Sequence, residues 1–169
     1  MPRELDVYLG DALAGQVAQT DSGVLSFKYE DAYRAAPGAR AISVSMPVRE
    51  EAWPDRQVRP FFSGLLPDEA ARQRLAEALG ISAGNAFGLL EIIGGECAGA
   101  LSLYPAGEAP PANGEDGVEV LSDKRLAEVI GKLHDRPLLG GEEGVRLSLA
   151  GAQDKLAVCL DGDHVALAK

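Results

Sequence analysis

The sequence predicts an α+β fold: a small antiparallel, β-rich and barrel-like N-terminal subdomain with short helices, followed by a second β-rich segment. Three observations predict it. The first thirty residues alternate apolar and polar side chains between short turns, the stretch from residue 59 to 93 changes to helical spacing, and residues 145–168 return to alternation. At 169 residues and 46% hydrophobic, the chain is long enough to bury a core and suits one domain, or one domain plus part of another.

The alternating run "LDVYL" starts a strand, "GD" turns, and "ALAGQVAQ" returns. "DSG" turns again before "VLSFKY", which sets Leu25, Phe27 and Tyr29 opposite Val24, Ser26 and Lys28. The result is an antiparallel meander. Beyond a loop around "AAPGAR", Ile42, Val44 and Met46 alternate with serines and stop at Pro47, which suggests another strand. A polar stretch with Trp53 and Pro54 follows. "RPFFSGLLPDEAARQRLAEALG" is helical: Pro67 suits a first turn, Asp68 and Glu69 suit the positive end of the dipole, and Gly80 is a stop. Leu75 and Leu79 share one face, with Ala71 and Ala78 beside them. "NAFGLLEII" is a second short helix ending at Gly94 and Gly95, and "CAGALSLY" is a strand that closes at Pro105.

"PAGEAPPANGEDG" is too rich in Pro, Gly, Ala and acid to bury much, so it reads as an exposed connection. The expected organisation is therefore residues 1–105, a connection at 106–120, and a second segment at 121–169. That segment opens with the helix "SDKRLAEVIGKL", with Ser122 as N-cap and Leu126, Val129, Ile130 and Leu133 at helical spacing. Three strands follow in a meander: "VRLSL", then "DKLAVCL" with Leu156, Val158 and Leu160 on one face, then "HVALAK" after a "DGD" turn.

Composition narrows the function. With 26 acidic against 16 basic residues the net charge is −10, which opposes a surface that tracks nucleic-acid phosphates. Cys97 and Cys159 lie far apart in apolar runs and read as buried free thiols of a reducing cytosol, with a disulfide between them the lesser alternative. His134 and His164 have no ligand spacing around them, so no metal site is expected. The pairs Glu50-Glu51, Asp68-Glu69 and Glu142-Glu143 read as solvated or helix-capping charges. "MPRELDVYLG" is not a signal peptide, and no run reaches the ~18 to 20 apolar residues that span a bilayer. A cytoplasmic protein with no membrane partner is expected.

One turn has chemical potential. Between "VRLSL" and "DKLAVCL", Ala150, Gly151 and Ala152 have the smallest side chains available, so backbone amides there can approach an anion closely. Lys155 adds a positive charge nearby, or faces solvent by alternation. The pattern is neither GxxxxGK[ST] nor GxGxxG, so the residues alone leave both a phosphate grip and a tight hairpin open, with Ser148 a plain strand serine.

The segment "SLAGAQDK", residues 148–155, resembles the signature of the HipA family, the serine/threonine kinase toxins of bacterial type II toxin–antitoxin modules. The resemblance runs through the chain in order: "LDVYL", "LSFKY", "ISVSMP", "FFSGLLPD", "FGLLEIIGGECAGALSL" and "LSLAGAQDK". It implies a β-rich N-terminal subdomain leading into the start of a protein-kinase-like nucleotide-binding lobe. It also implies that Ala150, Gly151, Ala152, Gln153, Asp154 and Lys155 form the flexible loop over the ATP phosphates. Ser148 matches the family's autophosphorylated serine. A dianionic phosphate two residues before a phosphate-binding turn would oppose ATP electrostatically.

The family's ATP-binding lysine, catalytic aspartate and Mg2+-binding aspartate lie later in the chain. No catalytic residue or metal ligand is therefore assigned here, Lys169 is not promoted to the missing lysine, and the 169-residue chain alone is expected to be inactive. The resemblance further implies a HipB-type helix-turn-helix antitoxin, which would make any DNA link indirect. The substrate would be a protein, an aminoacyl-tRNA synthetase such as glutamyl-tRNA synthetase, with growth arrest and persistence as the outcome. One departure is Gly64 in "FFSGLLPD", where relatives commonly carry asparagine; it removes any side-chain hydrogen bond at that position.

Two readings follow. The chain is the N-terminal part of a HipA-type kinase, or it is a non-catalytic module that partners a separate kinase lobe or antitoxin, as some relatives do. An expected sheet that lacks its next strand favours the first.

Overall fold

The computed structural model describes residues 3–97, 100–108, 110, 118–133, 158–162 and 164–168. In chain order the elements are β1 (Arg3–Leu9), β2 (Ala12–Gln19), β3 (Leu25–Tyr29), α1 (Asp31–Ala35), β4 (Trp53–Pro54), α2 (Asp55–Ser63) and α3 (Glu69–Leu79). There follow α4 (Ala86–Ile93), a 3-10 turn (Gly94–Glu96), β5 (Leu101–Pro105), β6 (Val118–Val120), α5 (Asp123–Leu133), β7 (Val158–Asp161) and β8 (His164–Ala168). The fold is α+β. It divides into two compact units, Met1–Leu66 with Ala86–Pro110, and Pro67–Asn85 with Pro111–Lys169.

The first unit is built on an antiparallel sheet in the order β4-β3-β2-β1-β5. The ladder is open: among the described residues β4 and β5 are not paired with each other. Period two decides which side chains go inside. Leu25, Phe27 and Tyr29 are buried on β3, as are Leu5 and Val7 on β1, whereas Val24 stays 49% exposed. Against this face pack Val58 and Phe62 of α2, together with Phe87, Leu89 and Leu90 of α4. The Phe27 ring meets Tyr29 edge-on at 4.8 Å and Phe62 at 5.8 Å. Each such side chain contributes roughly 1.5–3 kcal/mol of burial. Gly15 lets β2 pass over this cluster, because a Cβ there would lie 2.2 Å from the Lys28 carbonyl oxygen and 2.8 Å from the Phe27 ring. Both edge strands end on a proline, Pro54 and Pro105, which withholds a donor from further strand pairing.

Three expectations are corrected in this unit. Ile42, Val44 and Met46 do not form a strand. Ser43 and Met46 make an isolated bridge around a tight turn, and Val44 at its tip is fully exposed. The cause is local: Ser43 Oγ accepts the Ser45 N–H at 3.2 Å and lies 2.8 Å from Ser45 Oγ, offering the backbone an alternative to a ladder. Secondly, α2 starts at Asp55, so the polar stretch supplies its first turn, with Pro60 inside the helix. Thirdly, the strand after α4 begins only at Leu101, where it takes β1 as partner with Val7 opposite Leu103.

In the second unit, α3 is capped by Asp68, whose side chain accepts the Ala71 N–H at 3.0 Å, so Pro67 lies just outside the helix rather than in its first turn. Gly80 ends it at φ +67°, with the Ile81 N–H returning to the Ala76 carbonyl. The buried face is Ala71, Leu75 and Ala76; Ala78 is exposed. Ser122 caps α5 through the Arg125 N–H at 3.2 Å, and Val129 is buried, but Ile130 is 55% exposed. The sheet of this unit has the order β6-β8-β7, all antiparallel, with Ala166 of the central strand fully buried. Strand β6 was not anticipated: three residues are too short for alternation to register.

Candidate functional site

Ser148 and the expected loop residues Ala150, Gly151, Ala152, Gln153, Asp154 and Lys155 lie outside the described residues, as do the strand expected at 145–149, Leu156, His134 and Lys169. What is described is the hairpin immediately downstream. β7 begins at Val158, the chain turns at Gly162 with φ +61°, and β8 returns with Val165 opposite Leu160. The Cys159 thiol lies 3.6 Å from the Ala166 carbonyl oxygen. Val158 and Leu160 share a face as expected, and they are 49% and 75% exposed. His164 is an exposed residue at the start of β8.

In the first unit a cleft of about 560 Å³ lies between the β1–β2 hairpin end, Ala100 and the loop 36–41. Its walls are fixed: Tyr33 Oη donates to the Arg40 carbonyl at 2.8 Å and accepts the Arg40 N–H at 3.2 Å, while the Gly10 N–H donates to the Ala100 carbonyl at 3.0 Å. Among the described residues it is lined by small and apolar side chains with Tyr33 and Arg40, and by no histidine, cysteine or carboxylate. In the second unit Glu69, Arg72 and Gln73 of α3 face Ala83 and Gly84 across an open space of about 430 Å³.

Perturbed titrations trace to structural pairs. The Asp55 carboxyl is held below the usual carboxylate range first by the Arg59 guanidinium, then by the Leu25 N–H at 2.7 Å. Arg59 also donates to the Gly23 carbonyl at 2.6 Å, so this pair stitches the start of α2 to the turn before β3. Burial pushes the Tyr29 hydroxyl up, partly offset by the Ile42 N–H that it accepts. Arg34 lowers Asp31 through a surface ion pair. Among the described residues no cluster of three or more His, Cys, Asp or Glu could hold a metal ion. No described helix is long and apolar enough to cross a membrane. Sequence reasoning missed these fastenings: Asp55 and Arg59 stand four residues apart, but the Leu25 and Gly23 backbone groups they hold, like the Ile42 and Met46 groups held by Tyr29, lie 13 to 36 residues away and leave no local signal.

The first unit is thus a helix-backed antiparallel sheet in which Tyr29, Asp55 and Arg59 hold turns and a helix start. Residues 5–104 match the family model described as the HipA N-terminal domain, and the chain belongs to that family. It is 39% identical over 168 residues to "Putative kinase Y4mE" of Sinorhizobium fredii, covering 98% of this chain and 40% of that protein. It is 29% identical over 171 residues to the serine/threonine-protein kinase toxin HipA of Shewanella oneidensis, covering 98% of this chain and 37% of that one. Among solved structures it resembles a chain from the Shewanella oneidensis toxin–antitoxin complex of HipA, HipB and its operator DNA. There the TM-score is 0.70 at 26% identity over 98% of this chain and 38% of that one. The chain spans about two fifths of the length of the curated relatives it matches.

Proposed function

We propose that this chain is the N-terminal part of a HipA-type toxin kinase, whose whole protein transfers phosphate from Mg-ATP to a serine of a protein substrate. The observation that carries this reading is the reach of the likeness. It extends past the N-terminal domain at 5–104 to 98% of the chain in two relatives with kinase names, and so takes in residues 148–155. Ala150, Gly151, Ala152, Gln153, Asp154 and Lys155 would hold the ATP phosphates through small-residue amides and one cation. The Mg2+ ligands and the catalytic acid are expected downstream. Ser148 is the proposed site of silencing autophosphorylation, since a phosphate added there repels a bound nucleotide and reorganises the turn. The partner is a HipB-type antitoxin, a proposal supported by the composition of the structurally similar complex, with operator DNA reached only through that partner. An aminoacyl-tRNA synthetase is the proposed substrate, and growth arrest in the cytoplasm the outcome.

The test is to clone the full reading frame around these codons and incubate the purified product with γ-labelled Mg-ATP. Label on a protein serine, on Ser148 in particular, and its loss in Ser148→Ala are the expected results. Label that maps only elsewhere would remove Ser148 from the proposal. A frame encoding no kinase lobe, with no transfer, would replace the proposal by a non-catalytic module that partners a separate kinase or antitoxin.

A further inference from the structure

Asp6 is buried to 5% exposure, and among the described residues no other charged side chain is so enclosed. It sits in the middle of β1 between Leu5 and Val7, and alternation turns it to the face opposite theirs. A carboxylate withdrawn from water is costly unless both its oxygens are satisfied, and here both are. Oδ1 accepts from Gln16 Nε2 at 2.7 Å, a partner the sheet itself supplies because Gln16 stands opposite Asp6 in the β1–β2 register. Oδ2 accepts from the Gly107 N–H at 2.9 Å, a partner 101 residues away in sequence.

Gly107 belongs to the turn by which the chain leaves β5. That turn is laid over β1 by the Ala106 N–H on the Glu4 carbonyl at 3.1 Å, and it closes on itself by the Glu108 N–H on the Pro105 carbonyl at 2.9 Å. Gly107 adopts φ +86°, a left-handed conformation that suits glycine and turns the chain after its amide away from the strand direction. Among the described residues the other bonds that hold this turn are backbone ones, and Ala106, Gly107 and Glu108 are all exposed.

We infer that Asp6 is a latch: its carboxylate fastens the 105–108 turn to the sheet, sets the path by which the chain leaves the first unit, and can release that turn while the sheet stays folded. The sheet does not need the latch, because β1 keeps its ladders with β2 and β5 without it. The turn does need it, because no other described side chain accepts the Gly107 amide.

Two readouts on the 169-residue chain test this. Asp6→Leu keeps the side chain's bulk and removes the acceptor. It should speed amide exchange at Gly107, and cutting after Glu108 by a glutamate-specific protease, by about 10- to 100-fold. Interior amides of β1 and β2 should keep wild-type protection. Wild-type protection of Gly107 in Asp6→Leu would overturn the inference, and so would loss of protection throughout the sheet in step with it. Should the variant not fold, exchange of the wild-type chain in mild denaturant decides the matter: Gly107 should open in a local event that precedes opening of β1 and β2, and coincident opening would overturn the inference.

Discussion

The Tyr29 hydroxyl donates to the Met46 carbonyl oxygen at 2.5 Å and at the same time accepts the Ile42 N–H at 2.9 Å. One side chain at the end of β3 thereby closes the turn that carries Val44. Tyr29→Phe keeps the ring in the core and strips both bonds, leaving two enclosed backbone groups unmet, and should cost about 1–3 kcal/mol in urea denaturation. The pH dependence follows from burial, which raises this hydroxyl's folded pKa above its unfolded value. The unfolded state therefore loses the proton first, so the contribution is intact below the ordinary phenol range and lost as pH rises through the raised folded value. Alkaline unfolding curves should show this loss in the wild type and not in Tyr29→Phe.

Gly15→Ala should be among the most damaging small substitutions. Its Cβ would meet backbone oxygen at 2.2 Å and the Phe27 ring at 2.8 Å, where β3 cannot move without disturbing its ladder with β2. A loss of about 3 kcal/mol is expected, measured as the shift of the urea midpoint at unchanged slope. A near-neutral result would mean that β2 and β3 separate more easily than their register implies.

Asp55→Asn should weaken the start of α2 at neutral pH and do little in acid. The folded carboxyl lies below its unfolded value, first because of Arg59, so the unfolded state binds protons more readily as pH falls. The contribution is present above the ordinary carboxylate range and lost as pH falls through the lowered folded value. The gap between wild-type and variant thermal midpoints should therefore narrow between neutral pH and strong acid. Both side chains are partly solvated, so added salt should also shrink it.

Gly64→Asn should be tolerated. Gly64 ends α2 at φ −73° and ψ −12°, a conformation open to any residue, and an added Cβ would lie 3.3 Å from the Phe61 and Pro60 carbonyl oxygens. Reduced freedom of the unfolded chain favours the substitution by about 0.5 kcal/mol, so the thermal midpoint should hold or rise slightly. A marked fall would show that those carbonyls cannot give.

The isolated 169-residue chain should transfer no phosphate, because the groups that bind Mg2+ and orient the attacking hydroxyl are expected outside it. Time-dependent transfer from γ-labelled Mg-ATP to a protein by highly purified chain would sink this expectation.

The legible parts of the fold share one property: their determinants lie within a few residues of each other. Leu25, Phe27 and Tyr29 announce their buried face by alternation, and Asp68 and Gly80 bound α3 by capping. Ser122 marks the start of α5 in the same way. Where local cues conflict, reading fails. Ile42 to Met46 has the alternation of a strand, yet the interleaved serines turn the backbone and Tyr29 rewards the turn. Of the candidate site, the downstream hairpin of β7 and β8 was legible, whereas Ser148 and residues 150–155 rest on the family likeness and lie outside the described residues.

By itself the sequence determined the longer strands and helices, several turn positions and the family, because periodicity, capping residues and ordered motifs are written in neighbouring residues. Only the tertiary structure decided that β5 pairs with β1 and that the sheet of the second unit centres on β8. It also decided that Asp6 is a buried acceptor for Gly107 rather than one more surface acid. Those outcomes turn on which distant segments meet. A lone charge in an alternating strand has no sequence signature for the amide, 101 residues on, that makes its burial affordable.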